Sequence, residues 1–324
     1  MAFNLSALEQ WKEERLGEII YKPFELDQSL DYFLKVRGVA GQKVRLPIID
    51  DDGTIRVEAT CGWDDNGQTS IKQVEITAPQ HQVNRGLCLR SLKEFFVGQA
   101  LPATENPDTF DWIDEIVGRI ISKASRRMSM ILWLGDDSLS SYPADFKAYD
   151  GLLAQLTGVP ASQQYTLPSG QIITSSNVIS VFDQVIENLP TSALVSEPVL
   201  FCGSDVFRIL VMALRNQNYF HYSPEITADG QRGTLRPIVY PGTNVLVVPT
   251  LGLNSDNLAG QVLAQKQRLI ATYRDNFVFG YNVSLDEADV WYSQDNDEVR
   301  VRYSFHAGVA VVHQDLVSEF HLTP

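Results

Sequence analysis

Apolar residues recur at helical spacing over one long stretch of this chain and at every second position over several short ones. Trp112, Ile113, Ile116, Ile120, Ile121, Ala124, Met128, Ile131 and Leu132 follow the helical period. Asp108 or Thr109 stands before them as a cap, and Gly135 follows as a stop in the C′ position. The pattern predicts about 25 residues of helix, roughly 38 Å at 1.5 Å per residue, against a mean of about 11–12 residues.

Alternation governs Lys43 to Thr77. Val44, Leu46 and Ile48 alternate, Asp50-Asp51-Asp52-Gly53 reads as a turn, and Ile55, Val57 and Ala59 alternate again. Asp64-Asp65-Asn66-Gly67 is a second turn, followed by Ile71, Val74 and Ile76. Asp/Asn-Gly turns between alternating runs are a hairpin signal. Arg45, Arg56, Glu58, Lys72 and Glu75 occupy the other positions, so the ribbon has little core of its own. A ribbon this thin is marginal alone and is expected to rest on something else.

The remaining segments fall around these two. Leu5, Leu8 and Trp11 suit a short amphipathic helix that Pro23 interrupts, in an arm ordered by contacts elsewhere. Cys88 to Gly98 reads as a short helix, and Pro102 and Pro107 mark a connector. Asp150-Gly151-Leu152-Leu153 opens an α/β region. There Ser176 caps a helix through Val178, Phe182, Val185 and Leu189, and Pro198 to Cys202 reads as a buried strand. Ser204 or Asp205 caps the next helix, and Arg236–Tyr240 and Asn244–Val248 read as strands. Gly252 to Gly260 is loop-like, and Leu269 to Val283 has no clear period. Asp289–Ser293 and Val299–His306 form an antiparallel pair around Gln294-Asp295-Asn296-Asp297. Gly308 breaks the second strand before Val309-Ala310-Val311-Val312 continues it. No internal repeat is present.

Charge and cysteine content remove several functions. The net charge is −14, and the densest basic cluster is Arg126-Arg127. Sequence-specific nucleic-acid binding needs cations gathered on a face, so none is expected; an acidic surface lying beside DNA would repel it. Cys61, Cys88 and Cys202 form no CxxC pair and are odd in number, arguing against a zinc site or a disulfide framework. Residues 1–15 carry Glu9, Glu13 and Glu14 and no apolar signal core, and no stretch approaches a membrane span. A cytoplasmic start is expected.

Candidate chemistry is sparse. A calcium loop needs a Glu six residues after its Gly. The two acidic turns put Ala59 and Gln73 there. Gly203-Ser204 before a helix suits a cap better than an anion site. Ser204 in Cys-Gly-Ser-Asp-Val lacks the second glycine of a nucleophile elbow. His313 and Asp315 would share a strand face but have no nucleophile beside them. Glu13-Glu14 and Asp136-Asp137 suit solvated faces or caps. No catalytic, cofactor-binding or metal residue is assigned, no cofactor is expected, and the chain is expected not to be an enzyme.

The order of elements is more informative. Trp133-Leu134-Gly135-Asp136 leads to Tyr149-Asp150-Gly151-Leu152-Leu153. Glu197-Pro198-Val199-Leu200-Phe201 runs into the helix from Ser204, and Val290-Trp291-Tyr292 leads through Val299–Val311. In this order the chain resembles the major capsid proteins of tailed bacteriophages, whose Hong Kong 97 phage fold is shared with encapsulins. The resemblance implies an α+β phage capsid-like fold with an N-terminal arm (1–38) and an extended β-hairpin loop lying across a neighbour (39–82). A peripheral domain (83–149) would carry a spine helix (108–135), an inserted α/β axial domain would span 150–271, and return strands 272–324. It further implies a structural shell protein of the virion, self-assembling as pentamers and hexamers into an icosahedral head in the host bacterial cytoplasm. The implied partners are further copies of the chain, a separate scaffolding protein, a portal, a decoration protein in some members, and packaged double-stranded DNA without sequence-specific contact. Some members join a loop Lys to a neighbour's Asn; Lys72 and Asn282 are the pair such a link suggests here. Two other readings are an encapsulin-type nanocompartment shell, which needs a cargo peptide, and an α/β hydrolase on residues 150–271, which needs partners for Ser204.

Overall fold

A computed structural model describes residues 28–39, 43–51, 69–88, 111–138, 144–168, 171–217, 236–254, 267–282, 288–296 and 298–322. The expectations for Leu5–Trp11, for Ile55–Ala59, for Asp64–Gly67, for the Asp108 or Thr109 cap, for the helix beyond Cys88 and for the loop to Gly260 lie outside those residues.

Two large sheets and one ribbon organise the chain. The first sheet runs β1 (Leu34–Arg37), β10 (Phe277–Asn282), β12 (Glu298–Val311) and β11 (Ala288–Ser293), with β4 (Gln80–Cys88) also paired to β12. The second runs β5 (Gln164–Leu167), β13 (Ser318–Leu322), β9 (Leu269–Tyr273), β6 (Pro198–Gly203), β8 (Leu246–Thr250) and β7 (Ile238–Val239). The ribbon is β2 (Val44–Asp51) antiparallel to β3 (Thr69–Ile76). The helices are α1 (Asp111–Leu134), α2 (Leu152–Gln155), α3 (Val178–Glu187), α4 (Thr191–Val195) and α5 (Ser204–Asn216).

Side-chain alternation divides the interior. All six positions of β6 are buried, as expected of a strand covered on both faces. Its Val199 and Phe201 join Val248 and Ile270 in one core, while Leu200 and Cys202 join Val247 and Ala271 in another. α3 and α5 cover the second core through Phe182, Val185, Phe207 and Leu210. The first core is shared with the five-stranded sheet, which contributes Phe277, Phe279, Phe305, Ala307 and Val309.

α1 forms as its period predicts, over 24 residues, and its end fills that shared core. Met128 to Leu134 are all buried, whereas Arg119, Ser122, Lys123 and Arg126 are exposed. Trp133 sits in a ring of aromatics: Phe33 at 5.8 Å, Phe201 at 5.4 Å and Phe277 at 6.0 Å between centroids.

The glycine after α1 has a different role from the one its position suggests. The only positive-φ glycines described are Gly38 and Gly242, so Gly135 is not a left-handed cap. It is required by close backbone approach. The Gly151 N–H donates to the Gly135 carbonyl at 2.9 Å, and the Asp136 N–H donates to the Phe146 carbonyl at 2.9 Å. A Cβ on Gly135 would lie 2.7 Å from the carbonyl oxygens of Ile131 and Tyr149. A Cβ on Gly151 would lie 2.7 Å from the Gly135 nitrogen. This pair knots the end of α1 to the root of the six-stranded part.

Other expectations are corrected. Gly308 does not break its strand: β12 is continuous and pairs Gly308 with Gly280. Asp50 and Asp51 are not in the turn but pair with Ser70 and Thr69. Cys88 ends β4 and does not start a helix. Asn177, not Ser176, precedes α3, and its side chain accepts from the Thr174 N–H at 2.7 Å. Gly203 precedes α5, so Ser204 and Asp205 lie in its first turn; Asn254 accepts from the Ser204 N–H. Leu269 to Val283 contains two strands, β9 and β10, turned by Asp275 at φ 68°. Finally, residues 272–324 do not all return to one sheet, because β13 pairs with β5 and β9.

Buried Asn276 ties these last crossings together. Its amide donates to the Thr272 hydroxyl at 2.7 Å and to the His313 carbonyl at 2.9 Å, and its oxygen accepts from the His313 N–H at 2.8 Å. The passages β9–β10 and β12–β13 are thereby held side by side, and a buried amide is fully satisfied.

Candidate assembly surfaces

The ribbon packs on the body at its root. Ile76 is fully buried with Val278 and Ala310, and Leu46 and Val74 pack against them. Beyond the root the two strands stay paired from Ile48↔Lys72 to Asp51↔Thr69. Glu75 pairs with Lys43 and, at 3.7 Å, with Arg45. The Lys43 hydrogen bond holds the Glu75 carboxyl below the usual range. Exposed pairs of this kind contribute little stability. Eight paired residues span roughly 27 Å.

A second feature is apolar surface around the six-stranded part. Val195 at the end of α4 is 80% exposed, Val239 on the edge strand β7 60%, and Met212 on α5 55%. Among the described residues strands β5 and β7 end the sheet order, and a sheet edge invites pairing with another chain.

The residues considered for chemistry are distributed as follows. The Ser204 hydroxyl donates to the Thr250 carbonyl at 3.4 Å, not to a histidine. His313 and Asp315 are 4.0 Å apart, at a 3₁₀ turn and not on a strand, and His313 packs on the Tyr273 ring. Burial raises the Cys202 thiol out of its reactive range, with the Asp205 charge adding to it; Cys88 is exposed. Lys72 is exposed opposite Ile48, and Asn282 ends β10 opposite His306.

Sequence reasoning did not bring Asp150 to Asp136 and Asp137, yet the three carboxylates lie together. The signal was available in Gly135-Asp136 and Asp150-Gly151, since the two glycines bring their neighbours close. Hydrogen bonds explain the group: Asp136 accepts from the Ser138 N–H at 2.9 Å, and Asp150 accepts from the Asp137 N–H at 3.1 Å. Asp150 also raises the Asp137 carboxyl by repulsion. Among the described residues no helix is long and apolar enough to cross a membrane.

No family profile matches the sequence, and no curated protein matches it. Solved structures do. The satellite phage P4 procapsid, which includes the size determination protein Sid, holds a chain at 10% identity and TM-score 0.55, covering 96% of this chain and 91% of that one. The capsid of an empty GTA particle matches at 12% identity and TM-score 0.56, covering 91% and 90%. A chain from the Gordonia phage Cozz matches at 13% identity and TM-score 0.53, covering 92% and 87%. With two packed sheets, a long helix buried at one end and a thin ribbon in the same chain, this protein has the α+β fold of phage capsid proteins, the Hong Kong 97 type.

Proposed function

We propose that this chain is the major capsid protein of a tailed bacteriophage, assembling as pentamers and hexamers into an icosahedral head that encloses the genome. The observation that carries the reading is the ribbon. A fold matched to a capsid chain over 96% of its length includes a two-stranded ribbon of eight pairs that packs on the body at its root through Leu46, Val74 and Ile76, and a ribbon this thin, marginal alone, would gain stability from burial against a neighbouring copy. Such contacts join unlike surfaces and close only when many copies form a shell.

On this reading the five-stranded sheet and α1 form the peripheral domain, and the six-stranded sheet with α3 and α5 forms the axial domain. The axial domain runs from Gly151 to about Tyr273 and regains β13 at the end. Its exposed Val195, Met212 and Val239 would face other subunits near the capsomer centre. The net charge of −14 suits a wall that packaged DNA touches without sticking. A scaffolding protein, a portal and assembly in the host cytoplasm complete the proposal, and no reaction is assigned to the chain.

Shortening the ribbon tests this. Replacing residues 49–71 with Asn-Gly leaves Val44–Ile48 paired with Lys72–Ile76 around a two-residue turn. The expected variant unfolds within about 1 kcal/mol of the parent, because the root contacts of Leu46, Val74 and Ile76 are kept, yet forms no shells by electron microscopy. Shells as numerous and regular as the parent's would count against the ribbon as an intersubunit element.

A further inference from the structure

One half-buried histidine touches three parts of the fold. His81 lies on β4, the strand that carries the ribbon back into the five-stranded sheet, in register with Phe305 of β12. Its ring stacks on Phe305 at 5.4 Å and meets Tyr149 edge-on at 5.7 Å. Tyr149 is two residues before Gly151, in the turn that roots the six-stranded part. The ring therefore joins the ribbon's return strand, the first sheet and the junction between the sheets.

The slot favours the neutral ring. His81 Nε2 and the Tyr149 hydroxyl are both buried atoms with no hydrogen-bond partner among the described residues. The ionisable groups around it offer little compensation for a positive charge. His306 on β12 repels one; its own Nδ1 faces the Ala78 carbonyl at 3.3 Å. Asp145, in the turn before Tyr149, is the carboxylate among the described residues that attracts it, and Asp145 is held by Arg127 of α1 at 2.6 Å. Tyr149 stays neutral because burial raises its hydroxyl far above its ordinary range.

We propose that His81 is an acid-sensitive latch that fastens the root of the ribbon: neutral, it holds β4 against Tyr149 and Phe305; protonated, it leaves the slot and frees β4. Burial, the largest influence on the ring, lowers its affinity for a proton, and the hydrogen bond at Ala307 only partly offsets this. The sign follows. A histidine whose folded value is depressed keeps its full contribution above the free-histidine value of about 6.5 and loses it as pH falls below that value. For a single proton the open fraction rises by up to about tenfold per pH unit across that window.

The latch is a property of the single chain, so it is tested on unassembled protein and stands or falls apart from the capsid reading. Hydrogen exchange is measured at about pH 7.5 and about pH 5.5, either side of the free-histidine value, with rates corrected for intrinsic amide chemistry. Peptides from β4 are compared with α5, which lies in the other core. The parent protein is expected to lose about tenfold protection in β4 and little in α5. His81→Phe, which keeps an aromatic ring in the slot, is expected to lose none, and His306→Gln is expected to behave as the parent. An equal loss in His81→Phe, or no loss in the parent, overturns the latch. Should His81→Phe fail to fold, the parent is followed by NMR of its labelled imidazoles. Loosening of β4 while the folded-state His81 signal remains neutral supports the latch; protonation of that ring with β4 protection unchanged rejects it.

Discussion

Substitution of Gly308 by alanine is expected to destabilise the chain by about 3 kcal/mol or more, at or above the upper end of ordinary overpacking. An added Cβ would stand 2.0 Å from the Thr77 carbonyl oxygen and 3.0 Å from the Ala78 Cα. Both obstacles are backbone, so no rotamer relieves them. Thr77 and Ala78 join β3 to β4, so the clash falls where the ribbon meets the body. The control is Gly280→Ala on the paired strand. There the nearest atoms are methyls of Ile76 at 3.0 Å and Val39 at 3.2 Å, which can shift. Its cost is expected to be about 1 kcal/mol. Urea unfolding of both variants measures the difference, and equal midpoints would show that Thr77 does not lie against Gly308 as described.

Trp133→Ala is expected to cost about 3–5 kcal/mol, the range for emptying a large aromatic site. Trp133 is fully buried at the meeting point of α1, β6 and β10, with Phe33 closing the ring. The cavity would open in the core that both sheets share, so neither sheet can collapse into it independently. Its indole N–H is also buried with no partner among the described residues. Trp133→Phe therefore removes an unpaired donor, a gain of about 1–3 kcal/mol that offsets much of the lost volume, and it should be far milder than alanine. Trp291→Ala is the surface control: Trp291 is 37% exposed on β11 and should cost under about 1 kcal/mol by comparison. A Trp133→Ala protein as stable as the Trp291→Ala protein would refute the shared core.

These two sites also show which parts of the fold were legible in the sequence. α1 was readable because one face repeats over many turns, and β6 because its apolar run sits between Pro198 and the Gly203-Ser204 step. The β11–β12 pair was readable from alternation through Val299, Val301, Tyr303 and Phe305. β4 was not: Gln-His-Gln-Val-Asn-Arg-Gly-Leu-Cys has almost no apolar alternation, and the strand exists because β12 offers nine paired positions. β9 and β10 were hidden because both are buried on two faces and are turned by an aspartate at positive φ in place of a glycine. Gly308 was misread as a break, and Gly135, right as the stop of α1, was misread as a left-handed cap, for one reason. A glycine that breaks an element and a glycine that admits a crossing backbone look alike in one dimension.

The candidate surfaces were less legible than the fold. Shell contacts use broad faces and long ribbons and need no fixed residue spacing, so the order of elements carried that expectation. The grouping of Asp150 with Asp136 and Asp137 depends on two backbones touching at glycines. The aromatic slot around His81 depends on β4, which the sequence does not announce.

The central claim is that many copies of this chain close a shell. It is tested most directly by sedimentation velocity on the purified protein at high concentration, with and without a scaffolding protein, followed by negative-stain electron microscopy of each boundary. The account predicts pentamers and hexamers together with fast-sedimenting closed shells or tubes. A single slow boundary at the mass of one 36.3 kDa chain, unchanged by concentration or scaffold, would contradict it.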